Sequence, residues 1–131
     1  KSSRNSTMFP YNTEDEKKVI VNSYKLDDLL KFEELNKLDF IKIDAEGSEY
    51  LIWQGMQETI KKNLDIIIVM EFAPSHLLRA NINIKKFIKE IKNAGFVLRK
   101  IKEPMGEIII TTEEELINCW SENLFLKRGD I

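Results

Sequence analysis

The chain has little cysteine and histidine and no long apolar run. Cys119 is the single cysteine and His76 the single histidine among 131 residues. One cysteine excludes an intramolecular disulfide and any metal site built from several cysteines. A single cysteine is compatible with a reducing compartment, so we expect a cytoplasmic protein. The longest apolar run, from Ile66 to Met70, is far below the roughly 20 residues that a membrane span needs. We expect no signal peptide either.

The sequence also lacks an excess of charge of either sign. The sequence has 20 Lys and Arg against 22 Asp and Glu, a net charge of -2 and a pI near 5.6. Lys and Glu alternate along the chain, whereas nucleic-acid phosphates are bound by a clustered basic surface. We therefore expect neither a nucleic-acid partner nor a membrane partner. The length and the 43% hydrophobic content are those of one domain with a substantial core.

Hydrophobic patterning predicts an α/β fold. Residues 1–18 are polar and lack periodicity, which predicts an N-terminal loop or arm, and 19–131 form the α/β part. Five consecutive apolar residues within 65–71 predict a strand covered on both faces. The i, i+3, i+4, i+7 spacing that starts at Ile84 predicts an amphipathic helix over 83–94, closed by Gly95. The other predicted strands are 19–24, 39–44, 96–101, 107–111 and 123–127, and the other predicted helices start near residues 26, 47 and 113, with a short one ending near 62.

This order of elements is that of half a doubly wound sheet. The helices between the first three strands have the length needed for parallel pairing. Strands this apolar normally have a neighbouring strand on each edge and helices over both faces. The chain, however, has few other strands that could flank them. We therefore predict that sheet partners are missing.

Acidic residues follow two of the predicted strands. Asp44 and Glu46 come at the end of strand 39–44, and Glu71 ends the next one. Open α/β sheets bind ligands at the carboxyl ends of their strands. If the backbone stays extended, Asp44 and Glu46 project to the same side about 6.6 Å apart. Asp44 could instead cap the helix that begins near Gly47.

Four segments carry a resemblance to a known family. They are KLDDLL at 25–30, DFIKIDAEGSE at 39–49, Gly55, and IIIVME at 66–71. Together they resemble the FkbM-type methyltransferases over about residues 19–127. The resemblance implies the second half of a class I, S-adenosylmethionine-dependent, Rossmann-like domain. Strands 40–44 and 65–71 would then be its fourth and fifth strands, and 96–101 with 123–127 its terminal antiparallel pair.

The glycine-rich cofactor loop of that family is missing. The five glycines never form a G-x-G cluster. The family places this loop after its first strand, where glycine allows close backbone approach to the cofactor. We therefore predict a C-terminal fragment of a longer methyltransferase, or else a natural half-domain, that cannot bind the cofactor alone. Its partner would be the missing N-terminal half of its own domain, and an open sheet edge could also give a homo-oligomer.

The resemblance implies O-methylation of a small-molecule or sugar-like acceptor. Asp44 and Glu46 are the candidate catalytic residues, since a carboxylate there could fix the methionine amino group or act as general base on a hydroxyl. Asp44 and Ala45 are the candidate cofactor residues. Glu71 and His76, the latter in a predicted loop, are the candidate acceptor residues. Glu49 is interpreted as a first-turn dipole partner, so that Glu49→Gln should cost little.

Two other functions remain open from the sequence. Asp44 and Glu46 could be the first carboxylates of a divalent-metal phosphoryl-transfer site, although we predict no metal. That site needs further acids on later helices, and the helix over 83–94 has only Glu90. The second is a non-enzymatic interaction module whose open sheet edge recruits another chain by strand addition.

Overall fold

The computed structural model describes residues 8–9 and 19–131, in which helices and strands alternate in a mixed α/β fold. The predicted arm at 1–18 lies outside the described residues except for Met8 and Phe9. The strands are β1 Phe40–Ile43, β2 Ile67–Phe72, β3 Phe96–Val97, β4 Arg99–Lys102, β5 Glu107–Ile110 and β6 Glu122–Arg128. The helices are α1 Leu26–Phe32, α2 Glu49–Gln54, α3 Gln57–Lys62, α4 Pro74–Arg79, α5 Ile84–Asn93 and α6 Glu113–Asn118.

The six strands form one sheet in the order β1-β2-β6-β4-β5, and β3 pairs with β6. β1 and β2 run parallel, with Ile43 opposite Met70. β6 is antiparallel to β2 on one side and to β4 on the other. Within the described part of the chain β1 is therefore an edge strand, and its carboxyl end lies beside the carboxyl end of β2.

One face of this sheet is buried beneath helices. Ile68, Met70 and Phe72 of β2 are at most 1% exposed and pack in one core cluster with side chains of α2 and α5. The alternate β2 residues on the opposite face are only partly buried. The prediction that this strand is covered on both faces is therefore wrong for the described residues, because the helices that follow it in sequence all contribute to a single core.

The opposite face is apolar and uncovered among the described residues; we call it the open sheet face. Cross-strand partners share a face, so the pairing register assigns its members. Its apolar members are Phe40, Ile67, Val69, Ile101, Ile108, Ile110 and Phe125. None is buried, and Phe40 and Ile110 are 55% and 64% exposed. Monomeric soluble proteins rarely expose apolar surface of this kind in one contiguous area.

The prediction of a strand over 19–24 is wrong. These residues form no strand, and Val19, Ile20 and Val21 are 79%, 99% and 76% exposed. Alternating apolar residues form a strand only when a neighbouring strand accepts their backbone hydrogen bonds and a core buries one face. The described part of the chain gives this segment neither.

The prediction that His76 lies in a loop is also wrong, because residues 74–79 form α4. The helix starts with Pro74 in its first turn, where proline needs no N–H partner and its fixed φ suits a helix. The predicted strand over 96–101 is divided at Leu98 into β3 and β4. No helix within the described ranges is long and apolar enough to cross a membrane.

Candidate active site

A buried glutamate shapes the turn that leaves β1. Glu49, the first residue of α2, is 3% exposed. Its Oε1 accepts a hydrogen bond from the Ala45 N–H at 3.0 Å, and its Oε2 accepts one from the Gly47 N–H at 2.9 Å. Both carboxylate oxygens are therefore used to hold the backbone of the turn. The sequence interpretation of Glu49 as a simple dipole partner missed this role. A glutamate two residues after a glycine at a strand end is the signal that could have suggested it.

Two residues of this turn have left-handed backbones. Glu46 has φ of +50° and Gly47 has φ of +106°. A Cβ on Gly47 would lie 3.1 Å from the carbonyl oxygen of His76 and 3.3 Å from the ring of Phe9. Glycine is therefore required here both by its φ and by the close packing of the turn against α4.

The turn brings three carboxylates together. One oxygen each of Asp44, Glu46 and Glu71 lies within 4.8 Å of the others. The extended geometry assumed for Asp44 and Glu46 is wrong, since Glu46 is left-handed. The Glu46 side chain is 15% exposed, whereas that of Asp44 is 51% exposed and pairs with Lys42 Nζ at 3.2 Å. These carboxylates, at the carboxyl ends of two parallel strands, form what we call the acidic cluster.

Asp44 does not cap the helix that follows it. The N-cap residue of α2 is Ser48, and no side chain makes the cap hydrogen bond. The carboxylate of Asp44 is therefore not committed to the backbone of α2, and more than half of its side chain is accessible to a ligand.

Glu71 has one carboxylate oxygen satisfied and one not. Its Oε1 accepts a hydrogen bond from the Ser121 hydroxyl at 3.2 Å, whereas its Oε2 is buried and has no hydrogen-bond partner among the residues that the structure describes. Burial, and after it the negative charge of Asp44, raises the pKa of Glu71. Ser121 was not predicted as a site residue, because it reaches Glu71 only through the pairing of β6 with β2.

Helix α4 adds two basic side chains to the site. His76 Nδ1 lies 3.5 Å from Glu46 Oε2, and the His76 side chain is 20% exposed. Arg79 Nη2 lies 3.4 Å from the carbonyl oxygen of Glu46 and donates a hydrogen bond to it. The structure thus brings Asp44 and Glu46, which lie on one segment of the sequence, close to Glu71, and it places His76 beside Glu46.

The other candidate residues are placed less favourably for ligand contact. The Ala45 N–H is bonded to Glu49 and its carbonyl oxygen accepts from the Ser48 N–H at 3.1 Å. Ala45 can therefore contact a cofactor mainly through its methyl group. Glu90 accepts a hydrogen bond from the Tyr50 hydroxyl at 3.1 Å and is not part of the acidic cluster. A divalent cation could bridge the three clustered oxygens without Glu90.

We expect Glu71→Gln to stabilise the fold at neutral pH. A carboxyl group whose pKa is raised above 4.5 in the folded state favours the protonated form there. The free-energy cost of ionising Glu71 in the folded protein is therefore absent at low pH. It lowers the stability of the fold progressively as pH rises through the folded-state pKa. Glutamine removes this penalty and can still accept the hydrogen bond from Ser121. Thermal unfolding at pH 7 should show a Tm increase of about 2 to 4 °C.

The same experiment at about pH 4 should show almost no difference, because the native carboxyl is then largely protonated. Glu107→Gln is a matched control, since Glu107 is exposed on β5. A Glu71→Gln protein that is less stable than the native chain at pH 7 would contradict this account of the acidic cluster.

The structure is thus an α/β fold with an acidic cluster at the carboxyl ends of two parallel strands. A family model described as the methyltransferase FkbM domain matches residues 1–98. The chain therefore belongs to the FkbM methyltransferase domain family, as its sequence motifs predicted. The match includes all members of the acidic cluster and stops before β4. No curated protein and no solved structure matches the chain significantly.

Proposed function

We propose that this chain is part of an S-adenosylmethionine-dependent methyltransferase that methylates a hydroxyl group of a small-molecule or sugar-like acceptor. The observation that carries the proposal is the convergence of Asp44, Glu46 and Glu71 inside the residues that match the FkbM domain. Family membership supports methyl transfer, and the cluster supplies the groups that such a reaction needs.

The acidic cluster suits the charge of this cofactor. S-adenosylmethionine supplies, when bound, a methyl group on a positively charged sulfur atom that an acceptor oxygen can attack in line. Its cationic groups complement the three carboxylates of the acidic cluster, and the described residues leave one buried oxygen of Glu71 without a hydrogen-bond donor. We assign Asp44 to the cofactor amino group, with the Ala45 methyl group beside it.

The reaction also needs a group that takes the hydroxyl proton. A carboxylate within hydrogen-bond reach can accept this proton as the acceptor oxygen becomes nucleophilic. Glu46 is suited to this role because its side chain is mostly buried and lies 3.5 Å from His76 Nδ1. Asp44 is the more exposed alternative for the same role. Glu71 and His76 are then placed to orient the acceptor, and alignment supplies much of the acceleration in such a displacement.

We further propose that the chain is the C-terminal part of a longer Rossmann-like domain. Three features of the described residues support this: the parallel pair β1 and β2 beside antiparallel strands, the edge position of β1, and the open sheet face that none of these residues covers. The partner that covers this edge and face is the preceding half of the same domain, which also carries the glycine-rich loop. The proposed cytoplasmic location rests on the single free cysteine.

The isolated chain should not bind S-adenosylmethionine measurably. The acidic cluster offers carboxylates, but close backbone approach to the cofactor needs a glycine-rich loop that this sequence does not contain. Calorimetric titration of the 131-residue chain measures this directly. A dissociation constant below about 100 μM, equivalent to about 5 to 6 kcal/mol, would mean that the chain carries a complete cofactor site.

The isolated chain should also self-associate. The edge of β1, unpaired among the described residues, and the apolar open sheet face both favour contact with another copy when the proposed partner is missing. Sedimentation velocity at several concentrations should show a rising average mass. A strictly monomeric chain whose β1 amides are protected from hydrogen exchange would show that another segment covers this edge.

The methyltransferase proposal is tested with the longer protein and S-adenosylmethionine labelled on its methyl group. Label should appear on hydroxyl compounds, and mild base should not release it as it would from a methyl ester. Label on carboxyl, amine or thiol groups only would overturn the hydroxyl specificity. If the protein binds the cofactor but transfers no methyl group to any compound in a broad panel of hydroxyl compounds, methyl transfer to hydroxyl groups would be overturned.

A metal-dependent phosphoryl-transfer function has one observation in its favour, the close approach of three carboxylates. A divalent cation bridging them could assist a phosphoryl displacement. The chain's membership of a methyltransferase family makes this the second candidate. Release of phosphate from a phosphodiester only in the presence of added Mg²⁺ or Mn²⁺ would favour it.

A further inference from the structure

The sheet has a second edge at β5, at the opposite end of the strand order from β1. Among the residues that the structure describes, no strand pairs with the outer side of β5. The preceding half of the domain is proposed to pair with β1, so it does not account for this edge. A strand edge presents backbone N–H and C=O groups that readily pair with another strand.

Apart from its short length of four residues, β5 lacks the features that usually protect such an edge. Natural edge strands often carry a lysine, a proline or a bulge that prevents pairing with another chain. The only charged residue of β5 is Glu107, at its start, and the three isoleucines that follow pair with β4 without a bulge. Ile110 is 64% exposed. Because β-branched residues favour strands, this edge is suited to accept a further strand.

The pairing of β4 with β5 shows which backbone groups of β5 point outward. The Thr111 N–H donates a hydrogen bond to the Leu98 carbonyl oxygen at 3.1 Å, so these residues form a hydrogen-bonded pair directly after β5. In an antiparallel ladder, hydrogen-bonded pairs alternate with non-hydrogen-bonded pairs. Ile109 is therefore hydrogen-bonded to β4, whereas Ile108 and Ile110 direct their N–H and C=O groups to the outer edge.

The β5 strand is complementary to a second copy of itself. If two copies pair antiparallel with Ile109 opposite Ile109, then Ile108 of each copy lies opposite Ile110 of the other. All outward N–H and C=O groups of these two residues are then satisfied. Glu107 lies opposite Thr111 in this register, so no like charges face each other. Ile108 and Ile110 belong to the open sheet face, so the pairing brings isoleucines of both copies together there.

We propose that a second copy of this chain adds its β5 to this edge, antiparallel about a two-fold axis at Ile109, so that one sheet continues through both copies. Such a contact uses the same strand of each copy and closes without leaving a β5 edge exposed. It is separate from self-association through β1, so it should persist in the longer protein. A strand of four residues makes a small contact, and small interfaces are typically transient.

Disulfide trapping captures a transient dimer and reports its register. Cys119→Ser first removes the single native cysteine. Ile109→Cys then places each new thiol opposite its copy in a non-hydrogen-bonded pair, at a Cα separation of about 4.5 Å that suits a disulfide. Glu107→Cys is the matched control, because its two copies would lie four residues apart along the strands, or about 13 Å.

Under mild oxidation, the Ile109→Cys chain should form at least about tenfold more covalent dimer than the Glu107→Cys chain. Non-reducing mass analysis of both 131-residue proteins measures the yields. Equal yields would show association without a fixed register, and this result overturns the proposal. Absence of covalent dimer from Ile109→Cys also overturns it, because the edge then has no second copy as its partner.

A proline variant connects the dimer to the backbone of the edge. The Ile110 N–H points away from β4, so Ile110→Pro removes an edge donor without breaking a hydrogen bond of the sheet, and strands tolerate proline at such positions. Added to the Ile109→Cys chain, it should lower the yield of covalent dimer at least about tenfold. Ile110→Thr keeps the N–H and the β-branch, so it should change the yield by less than about threefold.

Circular dichroism and thermal unfolding verify that both variants at residue 110 are folded. An unchanged yield of dimer in a folded Ile110→Pro chain would overturn pairing through this edge. If the proline variant does not fold, the comparison of Ile109→Cys with Glu107→Cys decides the question.

Discussion

Glu49→Gln is expected to lower the free energy of unfolding by about 2 to 4 kcal/mol. Glu49 is 3% exposed, and its two oxygens accept hydrogen bonds from the N–H groups of Ala45 and Gly47. Glutamine offers one oxygen, so its NH₂ group must face a backbone N–H donor and leave that donor unsatisfied in a buried position. Chemical denaturation of the two proteins measures the difference.

Glu58→Gln is the matched control. Glu58 also lies in the first turn of its helix, but its side chain is 53% exposed and pairs with Lys61. Its replacement should change stability by less than about 0.5 kcal/mol. If Glu49→Gln were as mild as this control, the sequence interpretation of Glu49 as a dipole partner would be correct and the turn would not depend on it.

Asp44→Asn should reduce methyl transfer by the longer protein at least about 100-fold, the usual scale for losing a positioned acid or base group. The fold should be unaffected, because Asp44 caps no helix and its side chain is 51% exposed. Steady-state kinetics gives the change in turnover, and thermal unfolding verifies the fold.

Asp39→Asn is the control for this substitution. Asp39 precedes β1 at its opposite end, where its side chain is 78% exposed and pairs with Lys37 at 3.0 Å. The Asp39→Asn protein should retain nearly full methyltransferase activity. An Asp44→Asn protein that is fully active would remove Asp44 from the catalytic candidates and leave Glu46 and Glu71 as the carboxylates to examine.

Local patterns predicted the elements whose signals are contained in a few consecutive residues. The α5 helix follows from its apolar spacing, and its N-cap Asn83 accepts a hydrogen bond from the Lys86 N–H. β1 and β2 follow from their apolar runs. The segment 19–24 and α4 were mispredicted for different reasons. The first has the pattern of a strand without the neighbour that a strand needs. The second is a helix of only six residues that starts at Pro74, directly after Ala73, where a loop was predicted.

The site was partly predictable because strand ends are visible in sequence. Asp44, Glu46 and Glu71 could be assigned to one edge of a sheet, since parallel strands bring their carboxyl ends together. The contact of Ser121 with Glu71 depends on the antiparallel pairing of β6, and the role of Glu49 depends on a turn conformation at Glu46. The first contact joins residues 50 positions apart in sequence, so no short pattern predicts it. The second has a short signal, a glutamate two residues after a glycine at a strand end, but the sequence analysis interpreted this glutamate only as a dipole partner.

The open sheet face is the structural feature that corresponds to the prediction of missing sheet partners. The sequence predicted strands too apolar for an exposed sheet, and the register places Phe40, Val69 and Phe125 together on a face that no described helix covers. The core on the other face is complete, with Trp53 and Phe87 at most 1% exposed. The described residues therefore build one layer of helices, and the proposal that the preceding half of the domain supplies a second layer rests on the open sheet face.

The most direct test of this account is a crystal structure of the longer protein with S-adenosylhomocysteine. The account predicts the amino-acid portion of this product within hydrogen-bond distance of the Asp44 carboxylate, with the preceding half of the domain paired to β1 and covering the open sheet face. A ligand bound away from the carboxyl ends of β1 and β2, or a β1 edge left unpaired, would contradict it.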